Sequence, residues 1–433
     1  MKLFGLNLAE ISNLVRAVSS PGLPSDEVGD RFARATWTGV AEPGDRIAGE
    51  LVDCLGAARA FSALVDGWSS ERIADAAGAA GSDLLVAEIE DGLARWNPRL
   101  TSGIALVALG QAARYSVRLL TPEDAAWPTG LFDLGPFSPI ALWLRGNEST
   151  LFAAKRSIAL VGARAATGYG EHVTMEASAG LVDRGYAIVS GAAYGIDGMA
   201  HRAALASSGQ TIAFLAGGVD RFYPSGHDAL LSRIVEKGAV VSELPCGSPP
   251  TKWRFLQRNR LISAVSQATV VLEAGWRSGS LNTAGHASTL GRALGAVPGP
   301  VTSAASAGCH RLIRDFSAVL VTTAAEMAEL APLDDQHGET AAGYQQGEKT
   351  STEVRVVDAL STRTARSIED VAARAGLSLA EVQAELGTLQ VDGTAREGDR
   401  GWTVRPRPKT PVSGASGMVV ASNARQQSNG QTD

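Results

Sequence analysis

The strongest constraint on the fold is an alternation of short apolar runs with helical patterns, which begins near Tyr115. Several of the runs end at glycine-containing turns, and amphipathic segments such as Glu171–Arg184 lie between them. Short apolar strands separated by helices are typical of parallel βαβ units whose sheet is covered on both faces. We therefore predict an α/β domain over residues 115–331, with strands at Ile158–Val161, Ala187–Val189, Ile212–Leu215, Ala239–Val241, Thr269–Leu272, Ala293–Val297 and Val319–Val321.

The rest of the chain divides by its composition. Residues 1–114 are Ala-rich and amphipathic, with Pro and Gly turns, and are predicted to be mostly helical. Residues 332–352 are polar and contain glycine, which indicates a linker. Short helical patterns and a hairpin in residues 353–405 predict a winged helix, and the Ser/Asn/Gln-rich residues 406–433 predict a disordered tail.

Charge and cysteine content narrow the class of protein. The formal net charge of −6 argues against a generally basic nucleic-acid-binding surface but is compatible with a local basic patch. The three cysteines are far apart and lack metal-ligand spacing, as in a reducing compartment. No apolar run approaches the roughly 20 residues of a membrane span, and the N-terminus lacks a secretory pattern. We expect a cytoplasmic protein without membrane association or bound metal.

Three glycine-containing loops follow predicted strands and precede predicted helices. Free amides at a helix start favour a phosphate, and loops after parallel strands meet at one edge of the sheet. Arg164 stands inside the first loop, where it would bond a phosphate or stack on a base. The alternative is a set of tight turns with a solvated arginine. The candidate phosphate-binding residues are Gly162, Gly168, Gly170, Ser190, Gly191, Ser278, Gly279, Ser280 and Thr283.

The densest basic cluster is the segment Pro249–Arg260. It contains four cations and two aromatic residues without any acid: Lys252, Trp253, Arg254, Phe255, Arg258 and Arg260. Cations hold a flexible phosphate backbone, and an aromatic face stacks on an unpaired base. Because a duplex hides its base faces, this mixture favours a single strand. The alternative is a solvated basic helix with both aromatic side chains in the core.

Candidate catalytic groups are few. Asp197 and His201 lie one helical turn apart, as an acid–base pair would, but a structural hydrogen bond or a charge at a helix N-terminus is the preferred interpretation. Cys309 and His310 are adjacent and poorly placed to bind one metal. The sequence contains no GxxxxGK[ST] loop and no Ser-His-Asp arrangement. We therefore expect a binding protein that uses no cofactor and is not an enzyme.

Taken in order, these motifs resemble the DNA-processing protein A (DprA/Smf) family of bacteria. The resemblance is carried over about 115–330 by the stretches 161–170, 189–201, 217–224, 242–245, 255–262, 273–284 and 297–299. It implies an extended Rossmann-like domain between a helical (SAM-like) N-terminal domain and a C-terminal winged helix. It also implies a homodimer that binds single-stranded DNA and loads the RecA recombinase during natural transformation, without an established catalytic activity.

Several site residues are assigned through this resemblance. Arg164 looks like the family's DNA-contacting loop arginine, and Lys252 and Phe255 look like its lysine and stacking aromatic residue. We expect Arg258, Asn259 and Arg260 to extend the DNA-binding surface. The chain departs from the family at Ala163, where a serine is frequent, at Ser225-Gly226, where some relatives place a lysine, and at Asn282, where an aliphatic residue is common.

One other function remains open on the residues alone, and a second is disfavoured by them. A small-nucleotide-binding or nucleotide-processing enzyme would use the nest at Ser278–Thr283, with Glu273 or Asp197 as its acid–base group. A transcription factor would need a basic recognition helix, but the candidate helix Ser378–Gln390 contains Glu381 and Glu385 and no Lys or Arg.

Overall fold

The computed structural model of the chain describes residues 2–3, 5–101, 103–333 and, with short gaps, 353–404. The chain divides into two units, Met1–Leu333 and Asp334–Asp433, which are described separately. The described residues do not include residues 334–352, which are most of the predicted linker. They also do not include the predicted tail, residues 406–433.

The first unit begins with a small hairpin and a layer of helices. Strands β1 (Lys2–Leu3) and β2 (Leu6–Asn7) pair antiparallel. The helices are α1 (Leu8–Val18), α2 (Val28–Val40), α3 (Arg46–Leu55), α4 (Ala57–Val65), α5 (Ser70–Ala79), α6 (Val86–Trp96) and α7 (Ile104–Arg114). Trp37 and Trp96 meet edge to face at 5.2 Å in the interior of this layer. Trp143, on the sheet, donates a hydrogen bond from its Nε1 to Thr38 Oγ1 at 3.1 Å, so the helices and the sheet share a core.

The sheet has nine strands in the described part of the chain. They are β3 (Arg118–Leu120), β4 (Leu142–Gly146), β5 (Ser157–Gly162), β6 (Ala187–Ser190), β7 (Thr211–Phe214), β8 (Ala239–Ser242), β9 (Ala268–Glu273), β10 (Ala293–Ala296) and β11 (Val319–Leu320), in the order β11-β10-β9-β5-β6-β7-β8-β4-β3. The seven predicted strands are confirmed within a residue or two at their ends, and they are parallel. Strands β3 and β4 were not predicted. Strand β4 pairs antiparallel with both β8 and β3, which makes the sheet mixed.

Helices cover both faces of this sheet. They are α8 (Gly168–Asp183), α9 (Ile196–Ala206), α10 (Asp228–Lys237), α11 (Lys252–Val265), α12 (Ser280–Thr289), α13 (Ala307–Asp315) and α14 (Ala324–Glu329). The 3₁₀ segments are Asn97–Arg99, Thr129–Phe137, Glu148–Arg156 and Ser225–His227. From β5 the chain adds strands in one direction, and from β9 in the other. The carboxyl ends of β5 and β9 therefore form a topological switch point, where open α/β sheets bind their ligands.

The second unit is a small winged helix. Helices α15 (Ile368–Ala375) and α16 (Leu379–Val391) precede the hairpin of β12 (Ala395–Gly398) and β13 (Gly401–Val404). Its core includes Val371, Leu386 and Trp402. The α/β fold with a helical N-terminal part and a C-terminal winged helix, predicted from the sequence, is confirmed. Within the described residues, every helix is too short or too polar to traverse a bilayer.

Candidate nucleic-acid-binding site

A cleft of about 1050 Å³ lies at the switch point, between the loops that follow β5 and β9 and the first turns of α11. Ten of the predicted site residues line it: Gly162, Arg164, Lys252, Phe255, Arg258, Asn259, Ser278, Gly279, Ser280 and Thr283. The structure thus brings together residues more than 100 positions apart in the sequence. Arg277 and Tyr223 also line the cleft. Arg277 was not among the predicted site residues, although it directly precedes the serine loop.

Three exposed cations surround the cleft: Arg164, Lys252 and Arg277. In the described part of the chain, none of them has a carboxylate within ion-pair distance. Asp197 is the one acidic residue among the described residues that line the cleft, and it is 6% exposed. The mouth of the cleft therefore carries a net positive charge, which attracts a polyanion.

Phe255 is positioned by the first turns of helix α11. Thr251 caps this helix by accepting a hydrogen bond from Arg254 N at 3.3 Å. Lys252 and Phe255, three residues apart, consequently lie on the same side of the helix. The guanidinium of Arg164 lies 4.9 Å from the centre of the half-buried Phe255 ring, and the Tyr223 ring lies 5.5 Å away. The alternative that placed both aromatic residues of the cluster in the core is wrong, since Trp253 is 57% exposed and Phe255 lines the cleft.

Arg258 lines the floor of the cleft but is only 5% exposed. Its Nη1 donates hydrogen bonds to the carbonyl oxygens of Gly191, at 2.6 Å, and Phe214. A Cβ on Gly191 would overlap this guanidinium, so the glycine makes room for a buried side chain. Burial lowers the pKa of Arg258 to about 10, even though the charge of Asp197 acts in the opposite direction. Arg258 remains a cation at neutral pH, where it balances the buried carboxylate.

Two more arginines of the basic cluster are neutralised from other parts of the chain. Arg254 pairs with Glu42 at 2.8 Å, and Arg260 pairs with Glu243 at 2.7 Å. The expectation that Arg258 and Arg260 widen a positive surface is therefore wrong, because both side chains are buried among their own partners. Of the four cations in the cluster, Lys252 is exposed.

Asn259 is also mostly buried, at 9% exposure, on the wall of the cleft. Its Nδ2 donates a hydrogen bond to Asn282 Oδ1 at 3.2 Å, which links α11 to α12. The sequence offers no role for Asn282. In the structure, the residue is the acceptor that holds the Asn259 amide in place.

Carboxylates of the protein itself occupy the first two glycine loops. Glu273 accepts hydrogen bonds from Thr167 N at 2.8 Å and Thr167 Oγ1 at 2.6 Å, at the start of α8. A Cβ on Gly170 would overlap this carboxylate, whereas one on Gly168 would meet nothing within 4 Å. Because a phosphate at this helix end would be repelled by Glu273, the expectation that the first loop offers its helix start to a phosphate is wrong.

The second glycine loop also holds a carboxylate of the protein itself. The carboxylate of Asp197 accepts a hydrogen bond from the backbone amide of Gly191 at 3.2 Å, and the nearby amides of Ala193 and Gly162 also stabilise its charged form. Ser190 is fully buried and donates a hydrogen bond from its hydroxyl to Leu160 O at 2.6 Å. Ser190 and Gly191 therefore support the cleft from below and do not line it.

The third loop faces the cleft. The hydroxyl oxygens of Ser278 and Ser280 lie 2.7 Å apart, and both serines line the cleft with Gly279 at the start of α12. Thr283, one turn further, is 2% exposed and lies on the cleft wall. Hydroxyl donors beside exposed arginines form a surface suited to phosphate oxygens.

The candidate acid–base groups are engaged in the fold. His201 Nδ1 lies 2.7 Å from Thr211 Oγ1, and burial lowers the pKa of His201 to about 3. Burial raises the pKa of Asp197, although Arg258 and three backbone amides stabilise its charged form. Glu273, bonded to Thr167, is 2% exposed. Each group has a structural role, as the preferred interpretation of Asp197 and His201 predicted.

Comparison with known proteins agrees with this architecture. Residues 118–332 match the family model of DNA recombination-mediator protein A, and residues 341–398 match the DprA winged-helix domain. A DNA processing protein DprA of Mycobacterium tuberculosis is 46% identical over 299 residues, which are 66% of this chain and 77% of that protein. The protein Smf of Escherichia coli is 42% identical over 192 residues, or 44% of this chain and 50% of that protein.

The fold is likewise similar to a solved structure. The X-ray structure of DprA from Streptococcus pneumoniae superposes with a TM-score of 0.55 at 28% identity, covering 70% of this chain and 97% of that chain. The sequence matches to the family model and to its winged-helix domain support the same assignment. The chain therefore belongs to the family of DNA recombination-mediator protein A, the DprA/Smf family.

Proposed function

We propose that this chain binds single-stranded DNA in the cleft at the switch point and, as a recombination mediator, loads RecA onto that strand. The observation that carries the proposal is the set of three exposed cations, Arg164, Lys252 and Arg277, around the ring of Phe255. The family's description as a DNA recombination mediator supports the same role.

The geometry favours a single strand over a duplex. Phe255 lies inside the cleft, and the guanidinium of Arg164 rests over its ring. A base reaches this ring only when it is unpaired, and Arg164 then swings off the ring to meet the adjoining phosphate. Stacking and phosphate contacts read no base edges, so we propose binding without base specificity.

Fluorescence anisotropy of a labelled oligothymidine and of a matching duplex tests this proposal. We expect tighter binding of the single strand, and a loss of about 1–3 kcal/mol for Phe255→Ala, the range measured for one stacked base. Phe152→Ala is the matched control, because Phe152 is 52% exposed and does not line the cleft. Equal affinity for the duplex, or wild-type binding by Phe255→Ala, would contradict the proposal.

The proposal extends to a cytoplasmic homodimer that acts with RecA and catalyses no reaction. The engagement of Asp197 and Glu273 in the fold supports a binding role over nucleotide processing. RecA assembly on single strands coated with single-strand-binding protein should be accelerated by the wild type and not by Arg164→Ala. Light scattering at micromolar concentration checks the dimer, and a monomer there would refute that part.

A further inference from the structure

A turn after strand β9 presents two large side chains next to the cleft. Ser278 N donates to Gly275 O at 3.1 Å, which closes the turn with Trp276 and Arg277 at its central positions. Gly275, Arg277 and Ser278 line the cleft, whereas Trp276 does not. Trp276 is 54% exposed, and the residues before and after it in the chain both line the cleft.

The indole of Trp276 is supported from helix α13. The guanidinium of Arg311 lies 5.1 Å from the Trp276 ring and 5.4 Å from the ring of Phe316. Gly308 N donates to Ala274 O at 2.7 Å, which fastens the start of α13 to the end of β9. A cation–π contact of this kind holds one part of the indole in place and leaves more than half of the side chain open to solvent.

The surroundings of this indole favour an anionic ligand. Arg277 is exposed beside it, and Arg311 is loosely paired, with its Nε 4.0 Å from Asp315. An open aromatic face flanked by cations fits the alternation of base and phosphate in a single strand better than it fits an apolar protein surface. Because the residues on both sides of Trp276 line the cleft, the indole is attached directly beside the cleft.

We propose that Trp276 forms a second stacking subsite for single-stranded nucleic acid outside the cleft, with Arg277 contacting the phosphate between the two. This inference rests on the proposed function, because it extends the path of the strand that the cleft binds. The base bound at Phe255 occupies the cleft, and a later nucleotide of the same strand reaches the indole. The effect of Trp276 consequently depends on the length of the strand.

The test measures affinities for a ladder of oligothymidines of about 4 to about 16 nucleotides, the span of site sizes in single-strand-binding domains. Trp276→Ala should bind short oligomers like the wild type and bind longer ones about fivefold more weakly or worse, the lower end of the effect of one stacked base. Trp276→Phe should restore part of the loss, since it retains an aromatic face. Phe152→Ala, which removes an exposed aromatic residue elsewhere, should match the wild type at every length.

Two results overturn the subsite while leaving the proposed function in place. Equal affinities of wild type and Trp276→Ala at every length would assign the indole to a protein contact. An equal loss at every length would mean that Trp276 acts through the shape of the cleft. Failure of the wild type to bind any oligomer would instead reject the proposed function, and the subsite with it.

Discussion

The salt dependence of DNA binding is the sharpest test of which cations face the ligand. Each neutralised phosphate of a single strand contributes about −0.7 to the slope of log affinity against log salt concentration. The structure leaves Arg164, Lys252 and Arg277 exposed at the cleft, so three phosphates give a slope of about −2. A fourfold increase in salt should then weaken wild-type binding about 20-fold.

Removing one exposed cation should make this slope shallower by the contribution of one phosphate, about 0.7. Arg164→Ala is expected to show a slope of about −1.4, so that the same increase in salt weakens its binding about sevenfold. Arg254→Ala is the matched control from the basic cluster, because Arg254 is paired with Glu42. Glu42 keeps a second partner, Arg99, at 2.8 Å in that variant, so the fold should be retained.

The assay is anisotropy titration of one oligothymidine at several salt concentrations. Its length is held constant, and the folding of each variant is checked by thermal unfolding. The reasoning is refuted if Arg164→Ala keeps the wild-type slope, or if Arg254→Ala lowers the slope as much as Arg164→Ala does. Either result would mean that burial and ion pairing do not decide which arginines meet phosphate.

Three further predictions concern the support beneath the cleft. Gly170→Ala should lower the free energy of unfolding, measured by urea denaturation, by about 1–3 kcal/mol, because the added Cβ overlaps the buried carboxylate of Glu273. Gly168→Ala is the control and should change this free energy by less than about 0.5 kcal/mol, because the added Cβ would meet no other atom within 4 Å. Arg258→Met should cost about 3 kcal/mol in the same assay, because it leaves Asp197 buried without its balancing charge; unchanged stability would contradict this role. The pKa of His201 is lowered to about 3 in the folded state, so below about pH 6.5 the unfolded state binds a proton that the folded state does not bind. The free energy of unfolding should therefore fall by about 1 kcal/mol per pH unit below about pH 6.5, and less steeply in His201→Phe. Equal pH dependence of the wild type and His201→Phe would contradict this prediction.

The parallel strands could be predicted because their signal is local. A strand buried on both faces is apolar along its whole length, so each apolar run predicts a strand without any information about the strands that pair with it. Strand β4, Leu142–Gly146, was missed because a 3₁₀ segment, rather than a helix, connects it to β5. Its antiparallel pairing with β8 joins residues about 100 positions apart, and no local pattern reports such a pairing.

The glycine loops show the limit of reading a motif by residue type. A glycine in such a loop is required equally by a bound phosphate and by a charged side chain of the protein itself. Gly170 makes room for Glu273, and Gly191 makes room for Arg258. The sequence located these loops at the correct edge of the sheet, but it did not distinguish ligand from side chain.

Sequence patterns alone predict the α/β fold class, the edge of the sheet that carries the cleft, and the shared helix side of Lys252 and Phe255. These follow from periodicity and strand direction, which act over a few residues. Which cations lack an acidic partner at the cleft is visible only in the tertiary structure. Arg254 meets an acid 212 residues away, and Arg260 meets Glu243, because packing brings distant charges together and a buried cation requires a partner. The exposed charge of the cleft is therefore a property of the fold and not of the basic segment alone.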